Sequence, residues 1–288
     1  MHERFVRQAA GDVYVKRRQR VERKCHAGMI RTITATQYIT PLREGSSLPA
    51  IVEADDGQLY VMKFVGAGHG AKALIAELLA GEIGRALGLR VPEIVLLLLD
   101  PALGPSEPDP EIHDLLKASV GLNLGLSYLP NAFGFNMLLQ PPPDPSLASM
   151  IVWFDSFVTN IDRSPRNVNI LIWQGDLWLI DHGSCLYFHH SWDDYLERSH
   201  TPFPYIKDHT LMPFASRVAE AGEAARARLT SQIIGNIADM VPDEWLGDEE
   251  RFAGPTEHRL AYVAYLLSRL EASHIFVQEA MHAYSEFV

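Results

Sequence analysis

The chain has 288 residues, a formal net charge of -11 and a sequence pI near 5.5, which argues against nucleic acid as an obligatory partner. The length suits one large domain or two lobes that share a cleft. Two cysteines exclude a disulfide framework, and no apolar run reaches the ~18 residues of a membrane span, so we expect a cytoplasmic protein that does not enter a membrane.

Residues 1–28 form a basic extension, with eight Lys or Arg against three acids. Such an arm either docks on nucleic acid or another acidic surface, or is a poorly ordered tail. We predict a poorly ordered tail, and Met29 is a candidate for the true start of the protein.

Three predicted strands follow. Residues 30–39 and 50–54 alternate between polar and apolar side chains and flank a turn rich in Gly and Ser. Residues 58–65 read QLYVMKFV, in which Lys63 shares a face with Val61 and Val65. A lysine among apolar neighbours costs free energy unless it is paired, so Lys63 needs a partner.

A helix is predicted over residues 71–87, which are rich in helix-forming side chains. Glu77 lies on this helix and is the first candidate partner for Lys63. Glu82 is the second candidate, because five positions along a helix turn the side chain about 140° around the axis from Glu77.

Residues 93–100 (EIVLLLLD) predict a buried strand by their length and composition. The Pro-, Asp- and Glu-rich residues 103–112 are predicted as a loop, and residues 125–130 as a strand that ends at a proline.

A polar loop follows a helix predicted over residues 147–158, which is apolar on nearly all sides and therefore buried. The loop contains Asp162 and Asn167, and Asp181 opens an Asp-His-Gly triplet. Between them, two hydrophobic runs flank Gln174-Gly175-Asp176 and predict a tight hairpin. A hairpin brings its ends together, so we expect Asn167 and Asp181 to face one metal ion.

This order of residues indicates phosphoryl transfer. Protein kinases carry a catalytic Asp and a metal-binding Asn in D-x-x-x-x-N, and then a metal-binding Asp in Asp-Phe-Gly. The chemistry needs one carboxylate near the attacking hydroxyl, with an amide oxygen and a second carboxylate to hold Mg²⁺. Asp162, Asn167 and Asp181 fit these positions in turn. Each motif alone is weak evidence; their order, the hairpin and the lysine strand carry the interpretation.

Other segments gain roles on this interpretation. The Gly-Ser turn would cover ATP phosphates with backbone amides, and residues 127–131 would be the hinge that holds the adenine ring, with a plain edge strand as the alternative. The candidate nucleotide-binding residues are Lys63, Glu77, Gly45, Ser46, Ser47, Ser127, Leu129 and Asn131.

Residues 184–204 are rich in His and aromatic side chains. The adjacent His189 and His190 lack a zinc-ligand pattern, and we predict a substrate-facing or lid loop here. Residues 219–229, 229–240 and 260–284 predict core helices.

The chain resembles the HipA-like kinases, a bacterial branch of the protein-kinase-like fold. The resemblance is carried by N-x-D-R-x-x-R-N-x-N at residues 160–169 and by W-L-I-D-H-G at residues 178–183. It implies an α+β fold of two lobes: a small, mainly antiparallel β, nucleotide-binding N-lobe at residues 29–130 and a larger, mainly helical, catalytic C-lobe at residues 131–288.

The resemblance also implies that Asp162 is the catalytic base, that Asn167 and Asp181 are Mg²⁺ ligands and that Lys63 contacts ATP phosphates. His182 stands where ordinary protein kinases have Phe. The Asp-Arg pair at the catalytic loop is also similar to phosphatidylinositol kinases, which leaves the class of the acceptor open.

We therefore expect an ATP- and Mg²⁺-dependent kinase, with Mn²⁺ as the alternative ion, that phosphorylates a Ser or Thr hydroxyl of a protein, itself included. Two alternatives stay open: a non-catalytic pseudokinase that binds ATP and regulates a partner, and a kinase of small molecules or lipids. The joint presence of the lysine, both aspartates and the asparagine favours an active enzyme.

Overall fold

The computed structural model describes residues 30–42, 48–103, 109–247 and 249–287. The N-terminal part is a mostly antiparallel β-barrel and the C-terminal part is mainly helical, which confirms the predicted α+β class. The predicted tail at residues 1–28 and the Gly-Ser turn at residues 43–47 lie outside the described residues.

Five strands form a closed barrel in the order β1-β2-β3-β5-β4. Neighbouring strands are antiparallel except β1 and β4, which pair in parallel through residues 32–34 and 96–98. The strands are β1 (Thr32–Pro41), β2 (Ala50–Ala54), β3 (Leu59–Lys63), β4 (Ile94–Leu99) and β5 (Gly121–Ser127).

The barrel core follows from the period of two in its strands. In β3, Tyr60 and Met62 are buried with the barrel cluster, whereas Val61 packs against the larger core outside the barrel. Lys63 therefore leaves the barrel on the face that meets the first helix.

The first described helix, α1 (Ala71–Ala86), packs against the outside of the barrel. A Cβ atom at Gly81 would lie 2.5 Å from Cδ1 of Ile94, so the glycine lets the helix axis approach β4 closely. The loop predicted at residues 103–112 is partly wrong, because helix α2 (Pro110–Ala118) begins inside it. The Asp109 side chain caps this helix by accepting from the Glu111 N–H at 3.1 Å.

The C-terminal part combines a small sheet with six helices among the described residues. The predicted helix over residues 260–284 is two helices, which meet at Ala272. No helix in the described ranges is long and apolar enough to cross a membrane. The elements are β6 (Phe133–Gly134), α3 (Pro145–Phe157), β7 (Ile170–Trp173), β8 (Asp176–Leu179), α4 (Tyr195–Arg198), α5 (Val218–Arg228), α6 (Ser231–Ala238), α7 (Pro255–Glu271) and α8 (Ser273–Ser285).

The segment at residues 184–204 was predicted as a substrate-facing or lid loop, but three of its ring side chains, Phe188, His189 and Trp192, are buried in the core, whereas Tyr187 is exposed. Phe188 stacks on Tyr265 of α7, with ring centroids 3.5 Å apart, and Nδ1 of the buried His189 lies 3.0 Å from the Tyr262 hydroxyl. Trp192 is also buried and lies edge-on to Tyr262. Burial of large aromatic surfaces fixes this segment against α7.

Candidate active site

Lys63 is held between two carboxylates. Its Nζ lies 2.5 Å from Oε2 of Glu77 on α1 and 2.5 Å from Oδ1 of Asp181. The second predicted partner, Glu82, pairs instead with Arg85 one turn along the helix. The end of β3, the middle of α1 and the segment after β8 thus meet at one ammonium group.

The charges of this trio support one another. Burial alone would lower the pKa of Lys63, but the negative charges of Glu77 and Asp181 outweigh it and raise that pKa. Burial alone would raise the pKa of Glu77, but the Lys63 charge and the hydrogen bond from His182 lower it to about 2. Lysine and glutamate are therefore both charged at neutral pH.

His182 joins the triplet to α1. Its backbone N–H donates to Glu77 Oε2 at 2.9 Å, and its Nδ1 lies 3.3 Å from Glu77 Oε1. The imidazole is buried and lies edge-on to Phe154 of α3, with centroids 5.7 Å apart. The histidine in the usual Phe position therefore keeps an aromatic contact and adds a polar one.

Hydrogen bonds fold the loop around Asp162 tightly on itself. Asn167 Nδ2 donates to Asp162 Oδ1 at 2.8 Å, and Asn169 Nδ2 donates to the Asp162 carbonyl at 2.7 Å. The Asp162 N–H donates to Asn160 Oδ1 at 3.0 Å. Three asparagines of the sequence motif thus position one aspartate.

Burial raises the pKa of Asp162; the hydrogen bond from Asn167 opposes this shift, and the negative charge of Asp181 adds to it. A raised pKa makes the Asp162 carboxylate a stronger base at neutral pH.

Asp155 of α3 anchors the loop that contains Asp162. Its Oδ1 accepts from Asn160 Nδ2 at 2.8 Å, and its Oδ2 accepts from Arg163 Nε at 2.6 Å and from His209 Nε2 at 2.9 Å. Because His209 Nδ1 accepts from the Leu211 N–H at 2.9 Å, the ring proton lies on Nε2. The side chains of Asp155 and its charged partner are fully buried, so each requires the other.

The sequence prediction missed Asp155 and His209. A signal existed for Asp155, the single charged residue in an otherwise apolar stretch of α3, because a buried carboxylate needs a partner. Nothing local marks His209, which lies 54 positions further along the chain.

The predicted hairpin is present, with a turn one residue shorter than predicted. Trp173 pairs with Asp176, so the turn is Gln174-Gly175, and both residues have positive φ (54° and 85°), as a type I′ turn requires. At the open end, the Ile180 N–H donates to the Asn169 carbonyl at 3.1 Å. The loop around Asp162 and the Asp-His-Gly triplet that begins at Asp181 are therefore adjacent at the open end of the hairpin.

The donor set fits a hard divalent cation. Asn167 uses its Nδ2 on Asp162, which leaves its Oδ1 for a ligand, and Asp181, whose side chain is 44% exposed, uses one oxygen on Lys63. Within the described ranges no group of three or more His, Cys, Asp or Glu is arranged for a metal. Two protein oxygens completed by phosphate and water suit Mg²⁺ or Mn²⁺ rather than zinc. That Asn167 and Asp181 share one ion stays a prediction.

The predicted hinge connects β5 to β6. Ser127 pairs with Tyr60 on the neighbouring strand β3, Leu129 is buried and Asn131 has a φ of 61°. The Pro130 carbonyl accepts from the Trp173 indole at 3.0 Å, so this segment is tied to the hairpin. Its contact with adenine stays a prediction. The predicted phosphate-covering residues Gly45, Ser46 and Ser47 lie outside the described residues.

A family model described as HipA-like kinase matches residues 35–279. The chain belongs to the HipA-like kinase family. No curated protein sequence matches this HipA-like kinase.

Similar folds occur among solved structures. One is the Helicobacter pylori proinflammatory kinase CtkA, with a TM-score of 0.54 and 14% identity over 89% of this chain and 98% of that chain. A Golgi casein kinase with Mn and ADP bound gives a TM-score of 0.45 and 11% identity over 90% of this chain and 74% of that chain. A second Golgi casein kinase structure gives 0.46 and 11% over 89% and 72%. The likeness to CtkA shows the protein-kinase-like fold.

Proposed function

We propose that this HipA-like kinase transfers the γ-phosphoryl group of ATP, with Mg²⁺, to a Ser or Thr hydroxyl of a protein. The observation that carries the proposal is Lys63, whose Nζ lies 2.5 Å from both Glu77 and Asp181. Active kinases require a strand lysine paired with a helix glutamate beside a metal-binding aspartate. We assign nucleotide binding to residues 29–130 and catalysis to residues 131–288.

Each side chain has one task in the proposed reaction. Asp162 orients the acceptor hydroxyl and receives its proton, while a bond forms from the hydroxyl oxygen to the γ-phosphorus and the bond to ADP breaks. Lys63 holds the ATP phosphates, and Asn167 and Asp181 would hold Mg²⁺. When bound, the ion neutralises charge on the phosphate oxygens.

Asp162→Asn tests the proposal, with Asp176→Asn as the matched control on the nearby hairpin. Transfer from radiolabelled ATP to the protein itself and to a cell lysate should fall about 10²–10⁴-fold in Asp162→Asn, with an unchanged unfolding temperature, and should persist in the control. Undiminished transfer in Asp162→Asn would overturn the assignment.

The same assay separates the alternatives. A thermal shift with ATP and Mg²⁺, but no product from the wild type, would indicate a pseudokinase. Product that appears only on sugars, aminoglycosides or inositol lipids would indicate a kinase of small molecules or lipids.

A further inference from the structure

A small pocket lies beside the catalytic loop. One wall is formed by Asn160, Ile161, Arg163 and Ser164, and the other by the short 3₁₀ helix Pro204–Asp208 together with His209. The pocket has a volume of about 140 Å³. Pockets for drug-sized ligands begin at about 300 Å³, and a cavity of about 150 Å³ holds one benzene molecule. The size therefore fits a single side chain and excludes a nucleotide, a sugar chain or a lipid.

The base of the pocket is rigid. Asn160, Arg163 and His209 all line it, and all three donate to the buried Asp155 carboxylate. Arg163 also receives a hydrogen bond at its carbonyl from the Thr210 N–H at 3.0 Å. Because the same network fixes the catalytic loop, a side chain in this pocket would hold its own backbone at a set distance from Asp162.

The lining combines exposed apolar surface with polar groups. Ile161 and Tyr205 are 45% and 65% exposed, although both are large hydrophobic side chains. The Arg163 side chain is fully buried behind this surface, where its Nε binds Asp155. Asp208 lies exposed at the rim and offers an acceptor.

We propose that this pocket binds an apolar side chain of a polypeptide acceptor, close in sequence to the Ser or Thr that is phosphorylated. The backbone N–H of a peptide can donate to the exposed Asp208 carboxylate at the rim, and its apolar side chain would cover Ile161 and Tyr205. The inference rests on the proposed function and names the substrate class of that same site.

Synthetic peptides with one central Ser and a single varied neighbour, either Leu, Phe, Ala, Asp or Lys, provide the test. At one neighbouring position the wild type should prefer Leu or Phe to Ala by about tenfold in kcat/KM, since side-chain pockets discriminate by about this factor. Tyr205→Ala should reduce the preference below about twofold, through KM for the peptide. Tyr205→Phe should retain it, and so should Tyr187→Ala, which removes a tyrosine of similar exposure (58%) elsewhere.

Absence of any apolar preference in the wild type, or a preference that survives Tyr205→Ala, would overturn the pocket assignment. Phosphorylation of the protein itself but of no peptide would also overturn it and leave the proposed function standing. Fluorescence anisotropy of the same labelled peptides measures binding without catalysis. The same preference in binding, without any phosphoryl transfer, would support the pocket while contradicting the proposed function.

Discussion

The backbone N–H of His182 and the side chain of Lys63 bind the same oxygen, Glu77 Oε2, at 2.9 and 2.5 Å. The triplet that begins at Asp181 therefore cannot shift without displacing the glutamate on α1. Because Lys63 also binds Asp181, the three segments form one closed set of contacts, and loss of any one contact should disturb the other two.

Glu77→Gln should lower phosphoryl transfer strongly, because it leaves the buried Lys63 with one carboxylate and removes a full charge. Breaking a buried pair costs about 3–5 kcal/mol, so we also expect a lower unfolding temperature. Glu82→Gln on the same helix removes only the pair with Arg85 and serves as the control. Equal effects of the two substitutions on transfer rate and thermal unfolding would contradict the role of Glu77.

Asp181→Ala should abolish transfer and remove the Mg²⁺ dependence of ATP binding. Calorimetric titration with ATP should show affinity gained from Mg²⁺ in the wild type and none in the variant, while affinities measured in EDTA stay close. Asp176→Ala, which removes the exposed pair with Arg90, should behave as the wild type. A variant that keeps its full Mg²⁺ effect would show that the ion binds elsewhere.

Asp155→Asn should impair the catalytic loop and the fold together. The substitution leaves the Arg163 guanidinium buried beside a neutral amide, so we expect the free energy of unfolding in urea to fall by about 3–5 kcal/mol. At temperatures where circular dichroism shows a folded variant, kcat should fall more than KM for ATP rises. The exposed Asp239→Asn is the control. Full activity in folded Asp155→Asn would show that the network does not position Asp162.

The N-terminal half of the fold was predictable because its signals are local. The alternation of polar and apolar side chains predicts β2 and β3. Lys63, a lysine in an apolar strand, requires a carboxylate partner, and the next helix supplies Glu77. The contacts of Asn167 with Asp162 and of Lys63 with Asp181 agree with the spacing of the motif, which lies within one stretch of chain; the roles of these residues stay predictions.

The remaining features depend on partners far along the chain. The aromatic residues near His189 were predicted as a substrate-facing or lid loop because composition does not show which surface will cover them. The side chain that contacts His189 is Tyr262, which lies 73 positions further along the chain. Helix α2 was missed because its Asp109-Pro110 start lies in a segment whose Pro and acidic residues also suit a loop. The turn was predicted one residue too long because Asp176 favours turns as well as strand ends.

Stability should fall as the pH drops below about 6.5. Burial lowers the pKa of His189 well below its ordinary value, with a smaller effect from His190, and burial also lowers the pKa of His209 despite the opposing Asp155. At a pH between these lowered pKa values and about 6.5, the unfolded chain therefore binds more protons than the folded chain. In this range the free energy of unfolding decreases as the pH falls.

Urea unfolding from pH 5 to 8 measures this dependence. His189→Gln should reduce the slope by up to about 1.4 kcal/mol per pH unit, which is one proton. His274→Gln, on the exposed side of α8, is the control. An unchanged slope in His189→Gln would contradict a lowered pKa of this ring in the folded protein.

Two helical glycines should respond oppositely to alanine. Gly81→Ala places a Cβ 2.5 Å from Ile94 Cδ1, and overpacking of this kind costs about 1–3 kcal/mol. Gly235→Ala in α6 meets nothing within 4 Å and should add about 0.5–1 kcal/mol through helix propensity. Thermal unfolding of both variants tests the close approach of α1 to β4; stabilisation by Gly81→Ala would contradict it.

The parallel pairing of β1 with β4 has a consequence for association with other proteins. It connects the two strands that would otherwise be the outer strands of an open five-stranded sheet, and an unpaired outer strand is a template on which a foreign peptide can add a strand or identical chains can aggregate. Among the described strands, the barrel therefore has no outer strand to which another chain could add a strand. Such outer strands remain only at β6 and β8 of the small sheet. Loss of residues 32–34 would reopen it, and we expect a chain that begins at Ala35 to self-associate at concentrations where the full chain does not.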